Sequence, residues 1–253
     1  LWSDGSIKKA GANQFAKGVK TTTSSKKKNK AKKPITLFTN IDFLIFASTH
    51  KSEKNFPSLC LHAPGNWRGA EVGGHPYKIC PTSAYVLKYL FQELNKNYEM
   101  NKTKLNQGYN ITLEVTHHGP TIDIPCCFIE LGSNEQQWKD KEAAKIIAKT
   151  ILSLQDYPNH KPNKDWIPAI GIGGLHYCPS FNKIQLNSNY ALSHIIPEYV
   201  FPVTEQMLEQ AEEKTIEQIK EVLIDWKGCG KSEERQVIID SIERLGLKWK
   251  KTS

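Results

Sequence analysis

The segment from Thr112 to Ser133, TLEVTHHGPTIDIPCCFIELGS, constrains the fold more than any other stretch. Leu113 and Val115 alternate with Thr112, Glu114 and Thr116, the two-residue period of a strand with unlike faces. Gly119-Pro120 stops that strand, and Cys126 to Leu131 is a second β-prone apolar run, ended by Gly132-Ser133. Two adjacent imidazoles, His117 and His118, therefore stand where a strand gives way to a loop. Strand ends are where α/β proteins carry chemistry, because the strand holds a polar group still while the loop admits substrate.

Similar runs recur along the chain. Asp42 to Ala47 is continuously apolar, which predicts a strand buried on both faces, with a polar loop from Ser48 to Lys54. Ser58 to His62 alternates as a second strand, and the four glycines between Gly65 and Gly74 mark a long functional loop. Ala84, Leu87, Leu90, Phe91, Leu94 and Tyr98 share a face at helical spacing, predicting a helix over Thr82–Tyr98. A second helix is expected from a Ser133 cap to about Leu154, with Gln136 reaching back to the cap. Strands follow at Ile167–Ile172, 190–196 and Glu221–Trp226, with helices over Thr204–Lys220 and from a Ser232 cap to Leu245, stopped by Gly246. Alternating strands and helices predict an α/β fold with a mixed, largely parallel central sheet flanked by helices.

Charge divides the chain. Residues 1–33 hold ten lysines against one acid, Asp4; they carry +9 of a net +8, so the remainder is −1. Residues 1–33 thus read as a flexible lysine-rich segment, and 34–253 as a single α/β domain whose own charge does not make it a nucleic-acid binder. Lys26 to Lys33 would suit an RNA backbone or nuclear import; otherwise the reading expects a cytoplasmic monomer. No apolar run approaches the ~20 residues of a membrane helix. Six cysteines without CxxC spacing read as reduced, buried thiols, those at 126 and 127 included.

His50, His117, His118, His176 and His194 lie at strand ends or just beyond them, and a parallel sheet brings such ends to one edge. Two chemistries fit. Neutral imidazoles with Glu130 or Glu71 could hold zinc, although the spacing is not HExxH. Alternatively, one imidazole is a general base while Thr121, Tyr177 or backbone N–H groups stabilise an oxyanion. Gly171, Gly173 and Gly174 would let backbone approach a ligand. GxSxG is absent, which disfavours a serine hydrolase.

Taken together, THHGPT (116–121), FIELGS (128–133) with Trp138, GGLHY (173–177) and SHIIPEY (193–199) resemble the archaeal and plant type of D-aminoacyl-tRNA deacylase. STHKSEKNFPSLCLH (48–62), Gly65-Asn66, the Glu71-Gly73-Gly74 loop and Asp225-Trp226-Lys227-Gly228 extend the likeness in the same order, over roughly Ile41 to Leu247. The resemblance implies a fold of the phosphorylase/peptidyl-tRNA-hydrolase type, zinc as cofactor, and hydrolysis of the ester joining a D-amino acid to the 3′ end of tRNA. It also implies a strand and helix ahead of the point where this sequence starts.

On this basis His117, His118, Thr121, His176 and Tyr177 are the expected catalytic residues. His118, Glu130, His176 and His194 are the expected metal ligands, and His50, Lys54, Glu71, Gly173, Gly174 and Lys227 the expected substrate contacts. The terminal adenosine is expected to stack on Tyr177 or Trp67, and phosphates to meet Lys51, Lys54 or the lysine-rich segment. Leu175 and Asn134 depart from the family's glycine and threonine; a side chain at 175 is expected to narrow the site. A phosphorylase or amidase on the same scaffold, and a non-catalytic RNA-binding module, are the competing readings.

Overall fold

A computed structural model describes residues 41–157 and 165–252; the lysine-rich segment lies outside them. The elements are β1 (Leu44–Lys51), β2 (Ser58–His62), β3 (Gly65–Asn66), β4 (Lys78–Ile79), α1 (Ala84–Asn101), β5 (Asn110–Leu113) and β6 (Cys126–Ser133). There follow α2 (Glu135–Trp138), α3 (Lys141–Leu152), β7 (Ile167–Ile172), α4 (Pro179–Asn187), β8 (Tyr190–Ile196), α5 (Glu205–Glu213), β9 (Glu221–Asp225), α6 (Ser232–Arg244) and β10 (Trp249–Thr252). Two four-stranded sheets result, ordered β1-β6-β2-β5 and β10-β9-β7-β8. Within them only the β2–β6 pair is antiparallel, so the architecture is the expected mixed, largely parallel α/β type. No described helix is long and apolar enough to cross a membrane.

The chain between the sheets joins them. Beyond β5, Glu114 N–H bonds to Leu61 in the first sheet, Val115 N–H to the His176 carbonyl, and Thr116 N–H to Ile195 in β8. The second sheet is covered on both faces: Ile170, Ile172, Val222 and Ile224 pack with α5 and α6, while Ala169, Leu192 and Leu223 join the core under α1 and α4.

The first sheet is asymmetric. Leu59, Leu61, Leu113, Ile129 and Leu131 bury one face against α1 and α3. Strand alternation then puts Cys60 and His62, Thr112, Glu130 and His50 on the other face. That face is polar yet closed off from water: Glu114 and Glu130 are each 2% exposed.

Several expectations are corrected. β1 is not buried on both faces; it is an edge strand, half exposed, and extends through the expected loop to Lys51. The helix expected from Ser133 is two helices. Ser133 ends β6, Asn134 caps α2 in a capping box with Gln137, and the Asp140 carboxylate restarts the helix at α3 by accepting from Glu142 and Ala143 N–H. Capped by Thr204, α5 ends at Glu213, because the next residues turn their backbone to Thr82. Ser232 is the first residue of α6, with Lys231 at the cap position. All six cysteines are free and buried.

Candidate active site

The polar face of the first sheet gathers five imidazoles around two carboxylates. His50 comes from β1, His62 from the end of β2, and Glu130 from β6; Glu114, His117 and His118 come from the segment joining the sheets. His176 arrives from the loop after β7. Glu114 is the hub. Its Oε1 lies 3.4 Å from both His50 Nδ1 and His176 Nε2, and its Oε2 is 3.9 Å from His62 Nε2 and His117 Nε2. Glu130 Oε2 is 3.7 Å from His50 Nδ1 and from His62 Nε2.

Two tautomers follow from the carbonyls these rings meet. A carbonyl only accepts, so His117 Nδ1–H donates to Val115 (2.8 Å) and His62 Nδ1–H to Ala63 (3.2 Å). In the neutral rings both Nε2 atoms then present lone pairs toward Glu114. Acceptor faces acceptor, and His62 Nε2 and both Glu114 oxygens have no hydrogen-bond partner. Bare, such groups are costly to bury.

The electrostatics agree with the geometry. Burial lowers the His117 pKa well below 6.5, and the neighbouring imidazoles lower it further. Burial and His62 bring His118 to about 4. Both are therefore neutral bases at pH 7. Burial also works against charge on Glu114 and Glu130, but the surrounding histidines outweigh it and hold both below the usual carboxylate range. At His50 burial is likewise outweighed, here by Glu130 and Glu114, and the pKa is raised. His118 adopts φ +37°, in the left-handed region, a strained backbone of the kind found at functional sites.

Gly132 makes room for His50. A Cβ there would stand 2.7 Å from His50 Cδ2 and 2.9 Å from Ser58 Oγ. Gly132→Ala is expected to destabilise the protein by about 1–3 kcal/mol through overpacking and to displace His50. A thermal melt and a deacylation assay would check this; an alanine variant with wild-type values in both would show that the ring has room to move.

A cavity of about 330 Å³ opens beside the cluster, lined by Gly65, Trp67, Glu71, His117, His118 and Tyr199 among others. His176 sits near its mouth, with Nδ1 3.4 Å from the Tyr199 hydroxyl. Tyr177 contacts His50 Nε2 through its hydroxyl at 2.9 Å.

A family model for D-aminoacyl-tRNA deacylase matches residues 37–250. The chain belongs to the D-aminoacyl-tRNA deacylase family. It is 38% identical over 216 residues to the D-aminoacyl-tRNA deacylase of Methanocaldococcus jannaschii, covering 83% of this chain and 82% of that protein. It is 37% identical over 210 residues to that of Thermococcus kodakarensis, covering 82% and 73%. A crystal structure of a conserved protein of unknown function superimposes with a TM-score of 0.75 at 29% identity, covering 85% of this chain and 73% of that one.

The deacylase fold brings some of the expected residues together and not others. His50, His117, His118, Glu130, His176 and Tyr177 converge. His194 does not: its Nε2–H faces the Lys214 carbonyl at 3.4 Å, and its Nδ1 accepts from Thr116 at 3.2 Å, so both nitrogens are occupied. Thr121 lies outside the cluster and accepts from His75 N–H at 2.8 Å. Gly173 and Gly174, at φ +93° and +83°, make room for protein rather than for open space; a Cβ on Gly173 would meet Cys229 Sγ and one on Gly174 would meet Asp225. Trp67 is 3% exposed and donates its indole N–H to Ile195, so its face is not free for a base. Glu71 lines the cavity from an exposed loop; Lys54 and Lys227 are exposed and line neither the cavity nor the candidate metal groups. Leu175 is 61% exposed and points to solvent.

Sequence reasoning missed Glu114 and undervalued His62. The available signal was a carboxylate three residues before a histidine pair, at the end of an alternating strand, with a second lone carboxylate, Glu130, in the apolar run that follows.

Proposed function

We propose that this chain hydrolyses the ester between a D-amino acid and the 3′ end of tRNA at the Glu114–Glu130 histidine cluster. The observation that carries the reading is the convergence of five imidazoles on two buried carboxylates beside a cavity of side-chain size. Buried imidazoles, of which His117 and His118 are neutral at pH 7, contribute little to holding a phosphate backbone, which disfavours a purely RNA-binding role. Unprotonated at neutral pH, His117 and His118 are free to take a metal ion or a proton.

The donor set fits zinc. Among the described residues, four groups have ligand atoms within 4.8 Å of one another: His62/His117/His118, His50/Cys60/Glu114, Glu114/His117/His176 and His62/Glu114/Glu130. Unpartnered His62 Nε2 and Glu114 oxygens facing one another are the arrangement a cation between them would satisfy. When bound, zinc lowers the pKa of a coordinated water toward neutrality.

Around that centre the chain supplies the rest. With zinc on His117 Nε2, that ring's one lone pair is committed, and His118, neutral at pH 7, is the base that accepts a proton. Glu114 holds His50 and His176 in orientation, as Tyr177 and Tyr199 do from the other side of each ring. The proton taken from water passes to the departing ribose oxygen by way of His176, the most open of the five, whose ring centroid is 4.5 Å from that of His117. The cavity beside His118 receives the aminoacyl group.

The test is metal content together with deacylation of D-tyrosyl-tRNA and L-tyrosyl-tRNA, before and after chelation. Zinc and chelator-sensitive turnover of the D substrate are expected. Chelator-resistant turnover would move catalysis to the imidazoles alone, and turnover of neither substrate would overturn the deacylase reading.

A further inference from the structure

A second cleft, of about 340 Å³, lies between α4 and β10 and is not part of the histidine cluster. Ser180, Lys183 and Asn187 line it from α4, at the i, i+3, i+7 spacing of one helix face. Lys250 and Lys251 line it from β10, and Tyr190 forms part of its floor. No carboxylate lines the cleft. The acid just behind it, Glu221, accepts the Tyr190 hydroxyl, and Lys250 Nζ stands 5.2 Å over the Tyr190 ring.

Its position relates it to the reaction. Ser180 is four residues beyond His176, and the nine residues of α4 rise about 1.5 Å each, so the cleft leads away from the site for roughly 13 Å. Thr252 at the end of β10 pairs with Asp225, whose turn accepts the Gly174 N–H two residues before His176. Lys251 Nζ lies 4.7 Å over the Trp226 ring in that same turn. A polyanion whose 3′ end is at His176 would therefore find lysine ammonium groups along the next stretch of protein.

We propose that the α4–β10 cleft holds backbone phosphates of the RNA strand leading into the site, with Lys183 and Lys250 as the contacts. The proposal rests on the deacylase reading for its choice of polyanion. Lysine is suited to the task as a compact charge on a flexible stem, which tracks phosphates without reading bases.

The experiment is binding of uncharged tRNA by the whole chain across a range of salt concentrations, for wild type, K183A/K250A and K183R/K250R. The alanine pair is expected to bind roughly tenfold more weakly at moderate salt. Its log–log salt dependence should be shallower by about 1.4, near 0.7 for each lost single-strand phosphate contact. The arginine pair should retain affinity, slope and melting temperature; the alanine pair also loses the Lys250 Nζ–Tyr190 hydroxyl contact at 3.2 Å and should melt only slightly lower, still fully folded at the assay temperature. An unchanged slope in K183A/K250A would overturn the proposal and leave these lysines to protect the open β10 edge from pairing. Transfer of the effect to K51A/K54A would also overturn it, placing the RNA across β1. Binding is read without turnover, so failure of the deacylase reading would show separately, as wild-type protein inactive on D-tyrosyl-tRNA.

Discussion

Glu114→Gln is expected to lower deacylation by roughly two to three orders of magnitude and to lower the melting temperature. The side chain keeps its size, so packing survives. What is lost is the negative charge that four imidazoles share, with contacts of 3.4–3.9 Å. A carboxylate that orients ligating or catalytic histidines contributes about 10–100-fold, and loss of the central charge on a reacting site adds to that. Stability falls as well, because the surrounding histidines hold the Glu114 carboxyl below its usual range, so the ionised side chain supports the fold and the neutral amide gives that support up. Single-turnover rates and thermal melts on the same preparations check both halves. Activity within tenfold of wild type would mean that Glu114 is only packed there.

Acid should begin to destabilise the protein before its carboxylates are neutralised. His194 is completely buried, and burial brings its pKa from 6.5 to about 4. Between those values the unfolded chain takes up a proton that the native state refuses. Stability is therefore full above pH 6.5 and falls as pH drops toward 4. At ~1.4 kcal/mol per unit the loss approaches ~3 kcal/mol, with roughly 2 kcal/mol of it gone by pH 5. His117 and His118 are shifted in the same direction. Glu114 and Glu130, whose pKa values are lowered, withdraw their contribution as pH falls further, below 4.5. His50 opposes the trend: its raised pKa gives stability that is present below 6.5 and lost at higher pH. Denaturant unfolding at pH 7 and pH 5 measures the balance, and His194→Gln should flatten it. A His194→Gln variant with the same pH dependence as wild type would show that His194 is not the group responsible.

Much of this was legible in the sequence. The strands at 58–62, 167–172 and 190–196 follow from their apolar runs, and α1 from its periodicity. The histidine motifs carry the family resemblance. Glu114 was hidden because alternation separates two faces of a strand without saying which one meets water; here the polar face is closed by the loop carrying His176. His194 misled for the opposite reason. It lies near the end of a strand, as the candidate site residues do, but its partners, Thr116 and the Lys214 carbonyl, are 78 and 20 residues away in sequence. α4 gave no cap signal, since Cys178 stands at its N-cap in a left-handed conformation without a side-chain bond. β10 is short and lysine-rich, and it becomes a strand only because β9 offers it a ladder.

The short connection from Glu114 to Thr116 has a consequence for how the protein can fail. It places the hub carboxylate in the first sheet while its backbone hydrogen-bonds to His176 and Ile195 of the second. The reacting group thus works as a coincidence detector for folding: neither half of the molecule owns it, and it is assembled only when both are seated. A chain caught with one sheet formed is silent rather than sloppy, a useful property in an enzyme whose indiscriminate activity would strip amino acids from correctly charged tRNA.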